Sequence, residues 1–181
     1  EEEVAFITMI LDAGWDYVHL RHPEASIDEL RQLIGSIDSK YYNRLKLHDN
    51  FELVEEFKLG GVHLNRRNSI APDNFNGSIS KSCHTIGEIE ASHNFDYITL
   101  SPIFDSISKE GYNSAFTEDE LRRASEEGII DEKVVALGGV DFDDFSFLKG
   151  LNFGGAAMLG SIHRLKDLTL DEMKKLLFDW K

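Results

Sequence analysis

The chain has 181 residues, enough for one hydrophobic core, with 41% hydrophobic residues and no apolar run of membrane-spanning length. A formal net charge of −14 argues against nucleic acids and anionic membranes as general partners, and the lone Cys83 excludes a disulfide framework or a paired-cysteine zinc site. A single cysteine fits a reducing cytoplasm, which is the expected location.

Residues 1–13 read as a helix, with an apolar face from Val4 to Leu11 and three glutamates at the end where the helix dipole favours them. Gly14 ends it, and Trp15–Leu20 is an apolar strand that stops on Arg21, His22 and Pro23. Ser26 with Glu29 three residues on is a capping box, opening a helix through about Ile37. A strand at Arg44–Leu47 runs into His48, Asp49 and Asn50, and a helix at Phe51–Leu59 is expected to close at Gly60. Gly61–Leu64 is a strand ending in Asn65, Arg66 and Arg67, and residues 69–77 are a turn-rich loop. Ser78–Ser82 is a strand followed by Cys83 and His84, and Thr85 caps a short helix to about Ser92. Tyr97–Ser101 is a buried strand broken by Pro102, and Thr117 with Glu120 forms a second capping box for a helix to Gly128. The last elements are a strand at Lys133–Leu137, a helix at Asp141–Lys149, a strand at Gly155–Leu159 and a helix at Thr169–Trp180.

Strand and helix alternate throughout, which predicts a parallel sheet with helices outside it. Seven strands preceded by a helix fit a (β/α)8 TIM barrel as one domain over 1–181, with the first strand expected upstream of Glu1. An open doubly wound sheet is the alternative. In a barrel the loops after the strands share one face, and here those loops carry Arg21, His48, Asp49, Asn65, Arg66, Arg67, Ser82, His84, Ser106, Ser108 and Lys109. So many cations in an acidic chain suit phosphate oxygens. Gly138, Gly139, Gly160 and Ser161 follow the last two strands, where backbone amides can approach an anion, although a glycine pair also suits a tight turn. His19 and His63 lie within strands and read as interior residues. Cys83 reads as a small buried side chain, and Asp49 as a candidate magnesium ligand.

DYVHLR at 16–21, HDN at 48–50, GVHL at 61–64, SCHT at 82–85, SPIFDSISK at 101–109 and VVALGGV at 134–140 together resemble the thiamine phosphate synthase family, including its thiazole tautomerase branch. The resemblance implies a transferase of thiamine biosynthesis that joins a pyrimidine methyl pyrophosphate to a thiazole phosphate and releases pyrophosphate. By carry-over, Arg21, Ser82, Lys109 and Gly139 would hold pyrophosphate. Ser106 and Ser108 would bind the thiazole phosphate with the glycine loops, and Asp49 and Asn68 would hold Mg2+. The magnesium site is expected to be weakened, because Asn68 stands where the family has a second aspartate, and Pro23 replaces a lysine. His19 and His48 replace the family's Gln and Asn as substrate-binding positions. The alternatives are a thiazole phosphate tautomerase, using His84 as its base, and a non-catalytic binder of thiamine phosphate or its precursors. Pro102 stands where the tautomerase histidine would fall. The implied partners are phosphorylated pyrimidine and thiazole small molecules, with a homo-oligomer also expected, and neither nucleic acid nor membrane.

Overall fold

A computed structural model describes residues 2–105 and 114–178. In chain order the elements are α1 (Glu2–Ala13), β1 (Val18–Leu20), α2 (Ile27–Gly35), β2 (Leu45–Leu47), α3 (Glu52–Phe57), β3 (Gly61–Leu64), β4 (Ser78–Cys83), α4 (Ile86–Glu90), β5 (Tyr97–Leu100), α5 (Glu118–Glu126), β6 (Val134–Leu137), α6 (Phe145–Gly150), β7 (Gly155–Ala157) and α7 (Leu170–Phe178). The fold is the expected α/β alternation. The chain forms two compact units, one running to Ser80 and taking in Thr169–Leu177, the other covering Lys81–Leu168, so that β4 crosses the boundary.

In the first unit β1 pairs with β2 and β2 with β3, all parallel. The register sets His19 beside Lys46 and Lys46 beside Gly61, while Leu20, Leu47 and Val62 lie side by side on the opposite face. Leu20, Leu47 and Val62 are buried, as are Leu30 and Ile34 of α2 and Leu53 and Val54 of α3. The capping box at Ser26 forms as the sequence predicts: Ser26 Oγ accepts from the Glu29 amide at 3.3 Å, and Glu29 accepts from the Ser26 amide at 2.8 Å.

The second unit repeats the plan. β5 pairs with β6 and β6 with β7, again parallel. Ile98, Leu100, Val134 and Ala136 join Ile89, Leu121, Ala124 and Leu148 from the helices in one buried apolar cluster that includes Cys83. Burial of this kind is the main favourable term in folding. The Thr117–Glu120 box forms, and α7 starts on an equivalent pair, with Thr169 and Glu172 bonded at 2.8 and 3.4 Å.

Several boundaries differ from the sequence reading. The first strand begins at Val18 rather than Trp15, and the last ends at Ala157 rather than Leu159, because an apolar run does not show which residues find a ladder partner. The helix expected from Asp141 opens as a 3-10 turn at Phe142–Asp144 before α6. A further 3-10 segment at Ser39–Arg44, capped by Asp38, was not anticipated. Gly60 does not close α3. That helix ends on Lys58 in the left-handed conformation, φ 54°, and a Cβ on Gly60 would lie 2.0 Å from the Asn43 carbonyl oxygen, so this glycine serves close approach instead.

Candidate functional site

In the first unit the chemistry gathers at the ends of β1, β2 and β3. The register that puts His19 next to Lys46 also carries His63, two residues past Gly61, onto the same face. His48 follows β2 directly. The three imidazoles meet there: ring centroids are 5.1 Å apart for His19 and His48, 5.0 Å for His19 and His63, and 4.4 Å for His48 and His63. His19 Nδ1 and His48 Nε2 share a hydrogen bond of 2.8 Å, and His63 Nδ1 bonds Ser80 Oγ at 2.8 Å. Burial, with His63, His48 and Lys46 adding to it, holds His19 well below the usual histidine value. Burial, then Arg21 and Arg67, lowers His48 to about 4; burial and His48 lower His63 to about 3. All three are therefore neutral bases at physiological pH.

Lys46 is only 1% exposed. Its Nζ donates to the Gly60 carbonyl at 3.0 Å and lies 4.3 Å from the Tyr17 ring centroid. Gly61 makes room for it, since a Cβ there would meet Nζ at 3.0 Å and the Ser78 carbonyl oxygen at 2.1 Å.

The loop after β3 is fastened to the end of β2. Asn65 donates through Nδ2 to the His48 carbonyl at 2.8 Å, and its Oδ1 accepts from the amides of Arg67 and Asn68 at 2.9 and 3.2 Å. This brings Arg67 and Asn68 against Asp49. Arg67 Nη2 reaches both carboxylate oxygens at 3.0 and 3.1 Å, and Asn68 Nδ2 donates to Asp49 Oδ1 at 2.8 Å and to the His48 carbonyl at 3.0 Å. Asp49 is thus a fixed carboxylate suited to a hard cation, whereas Asn68 turns its amide hydrogens, not its oxygen, toward it. Arg21 is exposed at the end of β1, and Arg66 is exposed in the β3 loop.

In the second unit, His84 follows β4 and its Nδ1 donates to the Ser101 carbonyl at 3.0 Å, while its backbone amide donates to Glu88. The exposed ring is therefore held by the end of β5. Ser82 is half-buried within β4. Cys83 lies wholly in the apolar cluster and burial pushes its thiol up, which suits a packing role. Gly138 and Gly139 have φ of 90° and 68°. A Cβ on either would stand 2.8 Å from Pro102 Cα or 2.4 Å from the Asp105 carbonyl oxygen. Phe104 N donates to the Gly138 carbonyl at 3.0 Å, so the glycine pair lets the loop after β5 lie flat on the loop after β6. Gly160 opens the 3-10 segment Ser161–Asp167, and buried Ser161 donates to the Val140 carbonyl at 2.7 Å. Ser106, Ser108 and Lys109 lie outside the described residues.

Residues 1–162 match the family described as thiamine monophosphate synthase. The chain belongs to that family. Thiamine-phosphate synthase of Limosilactobacillus fermentum is 26% identical over 155 residues, which cover 82% of this chain and 71% of that protein. Its counterpart in Limosilactobacillus reuteri is 28% identical over 143 residues, covering 73% of this chain and 65% of that protein, just under two thirds of its length. Among solved structures, a thiamine phosphate pyrophosphorylase from Bacteroides thetaiotaomicron is 37% identical with a TM-score of 0.86, covering 98% of this chain and 90% of that one. Against this family background, the sequence reading had missed two features. Arg67 clamps Asp49, and His63 joins His19 and His48. The second had a signal in the repeated Val-His-Leu at 18–20 and 62–64, which puts both histidines at the same phase of a strand.

Proposed function

We propose that this member of the thiamine monophosphate synthase family is a thiamine phosphate synthase of the cytoplasm. Its substrates are a hydroxymethylpyrimidine pyrophosphate and a thiazole phosphate, and its fold is a single (β/α)8 barrel domain with one strand more than the seven described. In the reaction the bond from the pyrimidine methylene to the pyrophosphate oxygen breaks, and the electron pair leaves with pyrophosphate. The thiazole nitrogen then forms the new carbon–nitrogen bond. Chemistry of this kind asks for stabilisation of a departing anion rather than for a strong acid or base.

The observation that carries this reading is the family match over 1–162, together with the Asp49 carboxylate built into the β2 end. Mg2+, when bound, neutralises pyrophosphate charge. Asp49 would be its protein ligand. Asn68 orients Asp49 through the amide bond, and Arg67 is placed to exchange Asp49 for a phosphate oxygen. Arg21, Ser82, Lys109 and Gly139 are assigned to pyrophosphate. Ser106, Ser108, Gly138, Gly160 and Ser161 are assigned to the thiazole phosphate, His19 and His48 to the pyrimidine side, and His84 to the catalytic set.

Incubating the purified chain with both phosphorylated substrates and Mg2+ should yield thiamine phosphate and pyrophosphate in equal amounts. No product at high enzyme concentration overturns the reading. Isomerisation of a thiazole phosphate in the presence of a chelator would establish the tautomerase instead, and tight product binding without turnover would establish a binder.

A further inference from the structure

We propose that His19, His48 and His63 form a site for one zinc-class divalent transition-metal ion, held by three imidazole nitrogens with its fourth position open. One ligand nitrogen from each ring lies within 4.8 Å of the others. A tetrahedral ion with zinc–nitrogen bonds of about 2.0–2.1 Å needs its ligand nitrogens roughly 3.3 Å apart, so the present spacing, 2.8 Å for one pair, is within reach of small ring rotations. Two of the three ligands stand on strands, β1 and β3, and the third immediately follows β2, so backbone pairing fixes their relative places.

The hydrogen bonding around His63 is also what a metal ligand requires. If Nδ1 donates to Ser80 Oγ, then Ser80 in turn donates to the Val62 carbonyl at 3.3 Å, and this chain makes Nε2 the acceptor nitrogen of the ring. Such a second partner on the far ring nitrogen orients most metal-bound histidines. Between His19 and His48 the proton of the shared bond moves to the far nitrogen of the ring that carries it, so the ion enters without net proton release.

Imidazole nitrogen selects zinc, copper, cobalt or nickel over magnesium, which keeps to oxygen. The site is therefore separate in chemistry from the Asp49 position. Lys46, Arg21 and Arg67 act on these rings as neighbouring positive charges. They oppose a bare dication and direct the fourth position toward an anionic ligand or hydroxide.

The test uses the full chain stripped with chelator and titrated with Co2+, followed by visible absorption and then by Zn2+ competition. One Co2+ per chain with the intense bands of a four-coordinate ion, displaced by equimolar Zn2+ and retained in excess Mg2+, is the expected result. His19→Gln and His48→Asn, each checked by circular dichroism, should weaken binding at least about a hundredfold, and Ser80→Ala by about ten- to a hundredfold. Asp49→Asn should leave binding unchanged, which separates this outcome from failure of the synthase reading. Should the variants not fold, paramagnetically shifted imidazole resonances from three histidines in the Co2+-loaded parent decide the matter. A folded parent that takes up no Co2+ or Zn2+ overturns the proposal. So does uptake unaffected by the histidine substitutions, or a loaded parent lacking those resonances.

Discussion

On β1 to β3 the positions that alternate with Leu20, Leu47 and Val62 hold His19, Lys46, Gly61 and His63. On β5 to β7 the positions that alternate with Leu100, Ala136 and Ala156 hold Thr99, Val135 and Gly155. Both sets of strands are parallel, and each has one apolar face. Their other faces differ in kind, ionisable in the first unit and small or apolar in the second. Burying a polar group is unfavourable unless it is hydrogen-bonded, and the first unit meets that condition with the His19–His48 bond, Ser80 beneath His63 and the Gly60 carbonyl on Lys46. The strands β5 to β7 avoid the demand, since Thr99 is the only buried polar residue that the described strands there carry. Substitutions among the buried apolar residues of β5 to β7 should therefore register chiefly as stability, and those of His19, His48 and His63 chiefly as ligand binding.

The largest effect is expected at Leu100, which is fully buried in the apolar cluster. Leu100→Ala should lower unfolding free energy by about 2–5 kcal/mol in urea titrations. His19→Gln, which keeps a polar group on the strand, should cost about 1 kcal/mol. Equal losses would erase the contrast between the two faces.

The two strand glycines sharpen it further. Gly61→Ala puts a methyl 2.1 Å from the backbone carbonyl of Ser78, which cannot yield, and should cost about 1–3 kcal/mol. Gly155→Ala meets only the tip of Val135 at 3.3 Å, so its midpoint should move by less than about 1 kcal/mol in either direction. A Gly155 variant as damaged as the Gly61 variant would mean that the crowding is not specific to the polar face.

Thr99 is the polar exception on β5 to β7, with a buried hydroxyl that has no hydrogen-bond partner among the described residues. Thr99→Val should be neutral or stabilising by about 1 kcal/mol. A clear loss would show that the hydroxyl is satisfied after all. The smallest stability change belongs to Arg67→Gln. The pair it breaks lies at the rim, with side chains 47% and 16% exposed, and should matter by less than about 1 kcal/mol. The same variant should nevertheless shift the Mg2+ dependence of pyrophosphate affinity, measured by calorimetry. An unchanged titration would show that Arg67 serves only to hold Asp49.

The elements that could be read from the sequence are those specified by neighbours. The Ser26–Glu29 and Thr117–Glu120 boxes lie within a single turn, and β3 was legible to the residue because glycine and Asn65 bracket it. The strand ends as sources of polar groups were legible for the same reason. What was not legible depends on partners far along the chain. Gly60 looked like a helix stop because nothing local reveals the Asn43 carbonyl against it. His19 and His48 are 29 residues apart, and only the β1–β2 register makes them neighbours. Arg67 reaches Asp49 across 18 residues because Asn65 folds the loop back.

The hydroxyl-to-glutamate pairs at the starts of α2, α5 and α7 bear on how the protein meets acid. Glu29, Glu120 and Glu172 each accept hydrogen bonds from a serine or threonine hydroxyl and backbone amide, and these bonds hold all three carboxyls below the ordinary glutamate value of 4.5. The stabilisation is fully present above that value and is lost only as the pH falls through the lowered ones, where the folded chain must at last take up the protons. In a carboxyl-resolved NMR titration, these three carboxyls should take up their protons only below pH 4.5. Three helix starts would then keep their caps into distinctly acid solution.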